Sequence, residues 1–134
     1  MARALSLDAS FLIDLERERL GAQEGAAHRF LRREPGAELC LATAALGELT
    51  EGFDRPTDPA LAAIRRCHRL LPVDEEVALV YGRVARALRA GGHLLGANDL
   101  WIAATSLRHG LPLVTADVEA RFKWIDRTSG TANT

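Results

Sequence analysis

Short apolar runs alternate with helical patterns along the whole chain, and this alternation constrains the fold more than any other feature. The four runs are at residues 4–7, 38–41, 70–73 and 112–115. The segments between them carry apolar side chains at helical spacing, most clearly in the stripe that begins at Val77 and ends at Leu88. Short strands that alternate with helices form parallel sheets covered by helices. We therefore expect an α/β fold, a three-layer α/β/α sandwich with a central, mostly parallel sheet.

Turn and cap residues predict where the helices begin and end. Asp58 and Asp74 are predicted caps, and Thr43 and Asn98 offer two more. The pair Gly91-Gly92 is typical of a helix end. Helices are expected over residues 10–18, 23–33, about 43–53, 60–69, 74–90, 99–108 and 118–122, with an edge strand at 123–126.

Length and composition predict one domain. The chain has 134 residues, and we expect residues 1–128 to form that domain and residues 129–134 to be a disordered tail. No stretch is apolar enough to cross a membrane, and Asp8 interrupts the N-terminal run too early for a signal peptide. The expected location is the cytoplasm. There Cys40 and Cys67, which lack the spacing of a metal site, are expected to be buried free thiols.

The charge pattern gives no sign of a general affinity for nucleic acid. The net charge is −1, and Lys123 is the only lysine among the 17 basic residues. Arginines recur at short spacing in two predicted helices, and a solvated helix face is the favoured interpretation of both groups over contact with nucleic acid. The two groups are Arg65, Arg66, Arg69 and Arg83, Arg86, Arg89.

Four acids occupy positions that the predicted fold can bring together. Asp8 and Asp117 each follow an apolar strand, while Glu48 and Asp99 lie in predicted helices. Asp8, Asp99 and Asp117 could each be a simple helix cap. At the carboxyl ends of parallel strands, however, clustered carboxylates repel one another unless a cation lies between them. Oxygen ligands without histidine or cysteine favour Mg²⁺ or Mn²⁺, and such sites commonly serve phosphoryl chemistry.

Other enzyme classes lack their motifs in this chain. No Gly-x-x-x-x-Gly-Lys sequence of a P-loop occurs, and Ser10 has no Gly-x-Ser-x-Gly context. The four histidines show no ligand spacing. Two further acids have structural explanations: Asp14 can pair with Arg17, and Glu51 is expected on the solvated surface.

The order and spacing of four short motifs resemble the PIN-domain ribonucleases, in particular the VapC-type toxins of bacterial toxin–antitoxin pairs. The motifs are Leu7-Asp8-Ala9-Ser10, Glu48-Leu49-x-x-Gly52, Gly96-x-x-Asp99-Leu100-Trp101-Ile102-Ala103-Ala104, and Leu113-Val114-Thr115-x-Asp117 with Phe122.

The resemblance implies an acidic pocket of Asp8, Glu48, Asp99 and Asp117, with the three aspartates as metal ligands. Ser10 and Thr115 match the supporting hydroxyl residues of the family, and we add Asn98, the neighbour of Asp99. The segment from Thr115 to Phe122 is one residue longer than usual, so Glu119 could replace or join the last acid. The implied activity is Mg²⁺- or Mn²⁺-dependent cleavage of single-stranded or loop RNA, and the implied partners are a cognate antitoxin and a second copy of the chain.

Three alternatives remain open at this stage. A haloacid-dehalogenase-type phosphatase needs a second aspartate where Ser10 lies. A receiver-like signalling domain could use Lys123, but Asp8 has no acidic neighbour. The third is an inactive PIN-fold binding module. In either PIN case, an antitoxin groove is expected among apolar residues of the first two helices: Phe11, Leu12, Leu15, Phe30 and Leu31.

Overall fold

A four-stranded parallel sheet forms the centre of the protein in a computed structural model that describes residues 3–116. The strands are β1 (Ala4–Leu7), β2 (Glu38–Ala42), β3 (Arg69–Leu71) and β4 (Leu113–Val114). Their order in the sheet is β3-β2-β1-β4, so β1 pairs on both sides. Ser6 lies opposite Cys40 of β2 and Leu113 of β4. The carboxyl ends of all four strands therefore reach the same edge.

Helices flank this sheet and supply every connection between its strands. They are α1 (Ala9–Leu20), α2 (Ala26–Arg32), α3 (Thr43–Glu51), α4 (Pro59–Cys67), α5 (Glu75–Ala90) and α6 (Ala97–Arg108). Parallel strands need such crossovers, because a tight turn reverses the direction of the chain and can join only antiparallel strands. The predicted α/β architecture with a parallel central sheet is confirmed. Within residues 3–116, no helix is long and apolar enough to span a membrane.

The core lies between β1, β2 and the helices that cover them. Leu5, Leu7 and Leu41 have no exposed surface. Helix α6 packs into this core along most of its circumference, with Ile102 and Ala104 also fully buried. Small residues on α6 allow its backbone to approach the sheet closely, which brings its first turn next to the strand ends.

The α1–α2 hairpin is closed by a carboxylate and by an aromatic contact. Glu18 accepts hydrogen bonds from the backbone N–H groups of Gly25, Ala27 and His28, at 2.8, 3.0 and 3.1 Å. The Nδ1 atom of His28 lies 2.6 Å from the same carboxylate. A side chain from α1 thus satisfies the free amides at the start of α2, where Gly25 itself offers no capping side chain. Phe11 packs edge-to-face on Phe30, with ring centroids 5.7 Å apart.

Two of the four predicted helix caps are confirmed. Asp58 accepts from the N–H of Ala60 at 2.8 Å, and Asp74 accepts from that of Val77 at 2.9 Å. The predictions for Thr43 and Asn98 were wrong, because each helix begins earlier. Thr43 is the first residue of α3, and α6 begins at Ala97 with Gly96 at the cap position. The predicted helix at 118–122, the edge strand at 123–126 and the tail at 129–134 lie outside the described residues.

One burial prediction also needs correction. Cys40 is buried as expected, but Cys67 is exposed at the end of α4. Of the residues expected to form an antitoxin groove, Phe11 and Leu12 are buried in the core, and Leu15, Phe30 and Leu31 pack against it. The groove itself stays a prediction. A cavity of about 650 Å³ opens between α1 and α4, and two of these residues, Leu12 and Leu15, line it. Its apolar lining includes Leu12, Leu15, Pro59, Ala60, Ala63 and Ile64.

Candidate functional site

Three acids from three different elements meet at the carboxyl edge of the sheet. Asp8 directly follows β1, Glu48 lies on α3, and Asp99 lies in the first turn of α6. One carboxylate oxygen from each lies within 4.8 Å of the other two. Asp8 is 2% exposed, and the other two are half-buried. The fold therefore brings together three of the four acids that the sequence argument singled out.

The sheet fixes the position of Asp8. Its backbone N–H donates to the carbonyl of Val114 at 2.8 Å, which ties the end of β1 to the end of β4. Asp8 occupies the position before α1, but its carboxylate makes no capping hydrogen bond to that helix. The simple cap explanation therefore fails for Asp8. Its carboxylate belongs to the acid cluster.

Ser10 connects the acid cluster to the segment after β4. Its hydroxyl donates to Oδ2 of Asp8 at 2.8 Å and accepts from the backbone N–H of Ala116 at 3.1 Å. Ala116 directly precedes Asp117 in the sequence. One hydroxyl thus holds the carboxylate of Asp8 and positions the chain as it leads toward the fourth predicted acid.

The remaining predicted residues differ in their environment. Thr115 follows β4 and is buried, and its hydroxyl has no hydrogen-bond partner in the described part of the chain. Asn98 is exposed in the first turn of α6. Asp117 and its possible substitute Glu119 lie outside the described residues, so their membership in the site stays a prediction.

The chemistry of the donor set fits a hard divalent cation. Two carboxylates about 4 Å apart repel each other by about 4 kcal/mol at an effective dielectric constant of 20, and a third adds to this cost. A cation between them removes the repulsion. Asp8, Glu48 and Asp99 offer only oxygen ligands, which Mg²⁺ and similar ions prefer. This cluster can therefore hold a divalent ion.

Comparison with known proteins places this geometry in a family. Residues 5–127 match the PIN domain family, which is nearly the whole chain. This chain belongs to the PIN-domain family. Ribonuclease VapC4 of Mycobacterium tuberculosis is 32% identical to this PIN domain over 122 residues, 86% of either chain. The toxin FitB of Neisseria gonorrhoeae is 37% identical over 54 residues, which cover 40% of this chain and 39% of FitB.

Solved structures share the fold of this PIN domain. VapBC-1 from nontypeable Haemophilus influenzae superposes with a TM-score of 0.72 at 25% identity, covering 96% of this chain and 95% of the other. VapBC-5 from Mycobacterium tuberculosis, a member of the VapBC family of toxin–antitoxin systems, gives a TM-score of 0.63 at 26% identity. The coverage there is 97% and 94%.

Two supports of this PIN domain's acid cluster were not found from the sequence. The amide of Ala116, which donates to Ser10, is a backbone group, and its residue type gives no signal for such a role. The second support is a buried hydrogen bond from Ser106 of α6 to Ser6 of β1, at 2.9 Å. It joins the two elements that carry Asp99 and Asp8. The only sequence signal for it is a polar residue within each of two apolar segments.

Proposed function

We propose that this protein is a metal-dependent endoribonuclease, the toxin of a toxin–antitoxin pair, which hydrolyses phosphodiester bonds in single-stranded or loop RNA. The observation that carries the proposal is the convergence of Asp8, Glu48 and Asp99 at the strand ends of a PIN domain. The curated relatives support it, because they are named as ribonucleases or as a toxin.

Mg²⁺ or Mn²⁺ is the proposed cofactor, with Asp8, Asp99 and Asp117 as its ligands. The donor set supports a hard cation, and the burial of Asp8 supports a tightly held one. When bound, such an ion activates a water molecule and offsets negative charge on the phosphate. Ser10 keeps the carboxylate of Asp8 in one orientation through its 2.8 Å hydrogen bond.

The protein's own residues supply orientation in the proposed mechanism. Asp8 and Asp99 are anchored by a central strand and by a buried helix, so their carboxylates have little freedom to move. Glu48 reaches the same point from α3, where its carboxylate would orient the ion or the attacking water. Positioned groups of this kind lower the entropic cost of reaching the transition state.

An antitoxin protein is the proposed regulatory partner, and a homodimer is the proposed assembly. The structural relatives support the first point, since they include VapBC toxin–antitoxin assemblies that cover nearly the whole chain. The cytoplasm remains the proposed location, because both RNA and an antitoxin would be present there. The receiver-like alternative is not favoured, because the chain belongs to a different family.

RNA cleavage by purified wild-type protein and by Asp99→Asn tests the proposal. A structured RNA mixture is incubated with Mg²⁺, with Mn²⁺ and with chelator. Asp14→Asn serves as the matched control, because Asp14 is an aspartate that lies outside the cluster. Its carboxylate oxygen lies 3.9 Å from a guanidinium nitrogen of Arg17. We expect cation-dependent cleavage by the wild type and by Asp14→Asn, and a loss of at least about 100-fold in Asp99→Asn.

Two results would contradict the proposal. Equal cleavage by Asp99→Asn would show that a contaminating nuclease or a different site is responsible. Absence of cleavage by wild-type protein that is free of any bound partner, on a transcriptome-wide RNA sample, would show that this PIN domain is a binding module without chemistry.

A further inference from the structure

The outer face of α5 carries three arginines in a part of the chain that has no acid. Residues 77–98 contain Arg83, Arg86 and Arg89 but neither aspartate nor glutamate. The chain as a whole has a net charge of −1, yet this segment carries only positive charge, so positive and negative charges are unevenly distributed along the sequence. All three arginines are exposed. The positive charge of this segment therefore lies on a surface that a partner can reach.

Helical geometry places the three arginines in one row. Residues three apart are neighbours on a helix surface and are displaced by about 4.5 Å along its axis. The buried residues Val84 and Leu88 define the opposite face of α5, which packs on the rest of the protein. The arginines thus form a cationic row on the solvent side, which we call the α5 arginine row.

No acid within residues 3–116 forms an ion pair with the α5 arginine row. Other arginines on this part of the protein do have acidic partners. Arg108 pairs with Glu76, and Arg69 lies 3.5 Å from Glu38. Three like charges on neighbouring turns repel one another. An anion that contacts all three is attracted by each arginine and also offsets the repulsion between them. A polyanion fits this arrangement better than a single small anion.

The α5 arginine row ends at the same end of the α5–α6 pair as Asp99 of the acid cluster. Glu76 at the start of α5 pairs with Arg108 at the end of α6, and Leu88 near the end of α5 packs with Leu100 near the start of α6. The two helices are therefore antiparallel. Arg89 adjoins Leu88 in the sequence, and Asp99 adjoins Leu100. The last arginine of the row consequently lies at the same end of the helix pair as the carboxylates.

We propose that the α5 arginine row binds the phosphate backbone of single-stranded RNA and leads the strand into the acid cluster. This inference rests on the proposed nuclease function. Three clustered carboxylates repel the phosphates of an approaching strand, and a cationic row that ends at the same end of the helix pair opposes that repulsion. Guanidinium groups suit the role because their planar array of donors can contact a phosphate through two hydrogen bonds.

Binding of a fluorescently labelled oligouridine, followed by anisotropy in chelator over a range of salt concentrations, tests the inference. Chelator prevents cleavage, so the measurement is independent of activity. The test variant is R83Q/R86Q/R89Q. The matched control is R29Q/R65Q/R66Q, which removes the same charge from exposed arginines that also form no ion pair within residues 3–116. Thermal melting of both variants verifies that they are folded.

We expect the α5 variant to bind at least about tenfold more weakly than the control. The slope of log affinity against log salt should fall by about 2, since each lost phosphate contact on a single strand contributes about 0.7. With a cleavable RNA, KM should rise in the α5 variant while kcat changes by less than about twofold, because the row binds the strand away from the reacting phosphate.

Three outcomes would overturn the inference. Equal losses in both variants would show a general charge effect, and unchanged binding in the α5 variant would show that the row does not contact RNA. A lower mass of the α5 variant in solution, measured by light scattering, would assign the row to contact with a second copy of the chain. If the wild type neither binds nor cleaves RNA, the proposed function fails as well. If it cleaves RNA and the α5 variant behaves identically, the inference alone fails.

Discussion

Asp8 is a nearly buried carboxylate beside two others, a costly position for an ionised group. Burial of a charge is unfavourable unless hydrogen bonds or an opposite charge offset it. The hydroxyl of Ser10 supplies one such hydrogen bond, but Glu48 and Asp99 add negative charge within 4.8 Å. The mutual repulsion of the three carboxylates therefore opposes folding when no cation lies between them. A cation bound between the carboxylates makes the contribution of the cluster to folding stability favourable.

Replacement of Glu48 by glutamine tests this cost. Glu48→Gln preserves the shape of the side chain and removes one charge from the cluster, so we expect it to raise the free energy of unfolding in chelator by about 1–3 kcal/mol. Excess Mg²⁺ should stabilise the wild type more than the variant, because a ligand stabilises the state that binds it. Thermal melting with chelator and with Mg²⁺ measures both effects.

Glu51→Gln is the control for that experiment, since Glu51 is exposed about one turn further along α3. It should leave both the stability in chelator and the response to Mg²⁺ nearly unchanged. If Glu48→Gln behaved like this control, the three carboxylates would not be electrostatically coupled.

The sequence located Asp8 and Asp99 more securely than Glu48. Asp8 ends an apolar run, and strand ends in an α/β fold define where ligands bind. Glu48 lies off the apolar stripe of its helix, and periodicity alone cannot tell whether such a residue faces water or a cleft. Glu48 was therefore the least secure of the four predicted acids, and the resemblance to PIN domains supported its place among them. Its approach to the other two acids depends on how α3 packs, which is a tertiary property.

At the scale of elements, the α1–α2 hairpin depends on one carboxylate. Burial disfavours the ionised form of Glu18, but hydrogen bonds from His28 and from the amides of Gly25 and Ala27 outweigh this and lower the pKa of Glu18 from 4.5 to about 2. A Cβ atom at Gly25 would lie 2.6 Å from the same carboxylate, so glycine provides the space it needs. This contact is not predictable from the sequence, because Glu18 acts on backbone groups of another helix.

The low pKa of Glu18 predicts a defined dependence of stability on pH. Its folded pKa lies below its unfolded value, so Glu18 stabilises the fold above about pH 4.5, and this contribution is lost as the pH falls through 2. Between these values the unfolded chain binds more protons than the folded one. In Glu18→Gln we expect lower stability at neutral pH and about one proton fewer taken up on unfolding in this window.

Urea unfolding of the wild type and Glu18→Gln from pH 5 to about pH 2.5 measures this dependence. Glu24→Gln is the control, because Glu24 carries an exposed charge in the same turn and pairs with Arg32 at 2.7 Å. Parallel stability curves for the wild type and Glu18→Gln would show that the hydrogen bonds to Glu18 do not depend on its charge.

Helix starts show why some local predictions succeeded and others failed. Asp58 and Asp74 make the expected capping bonds, and within residues 3–116 no basic side chain forms an ion pair with either carboxylate. At α6 the chain enters the helix at Ala97, before the expected cap Asn98. A capping bond contributes only about 1 kcal/mol, whereas the buried length of α6 carries several apolar side chains. Packing of the whole helix therefore decided where it begins.

For the molecule as a whole, the hydrogen bond between Ser106 and Ser6 connects the central strand to the most buried helix. Both residues are buried, and Ser106 also lies 3.1 Å from the carbonyl of Ile102. Ser106→Ala leaves the hydroxyl of Ser6 without this partner, at an expected cost of about 1–3 kcal/mol in the free energy of unfolding. Replacement of both serines by alanine should cost less than the sum of the two single changes.

A double-mutant cycle by urea unfolding measures this coupling. RNA cleavage should fall in the single variants more than in the double variant, because an unpaired hydroxyl between β1 and α6 shifts Asp8 relative to Asp99. Strict additivity of the two single changes would contradict a direct contact. The general architecture was predictable from alternating strands and helices, but this contact, between residues 100 positions apart, follows only from the packed structure.

The central strand β1 precedes its neighbour β4 by more than 100 residues, so translation produces β1 first. Asp8 therefore leaves the ribosome long before α6 and β4 exist to complete its surroundings. Since chains grow at about 5–20 residues per second, the acid cluster stays open for seconds on the nascent chain. The proposed nuclease site is therefore incomplete until α6 and β4 have been made.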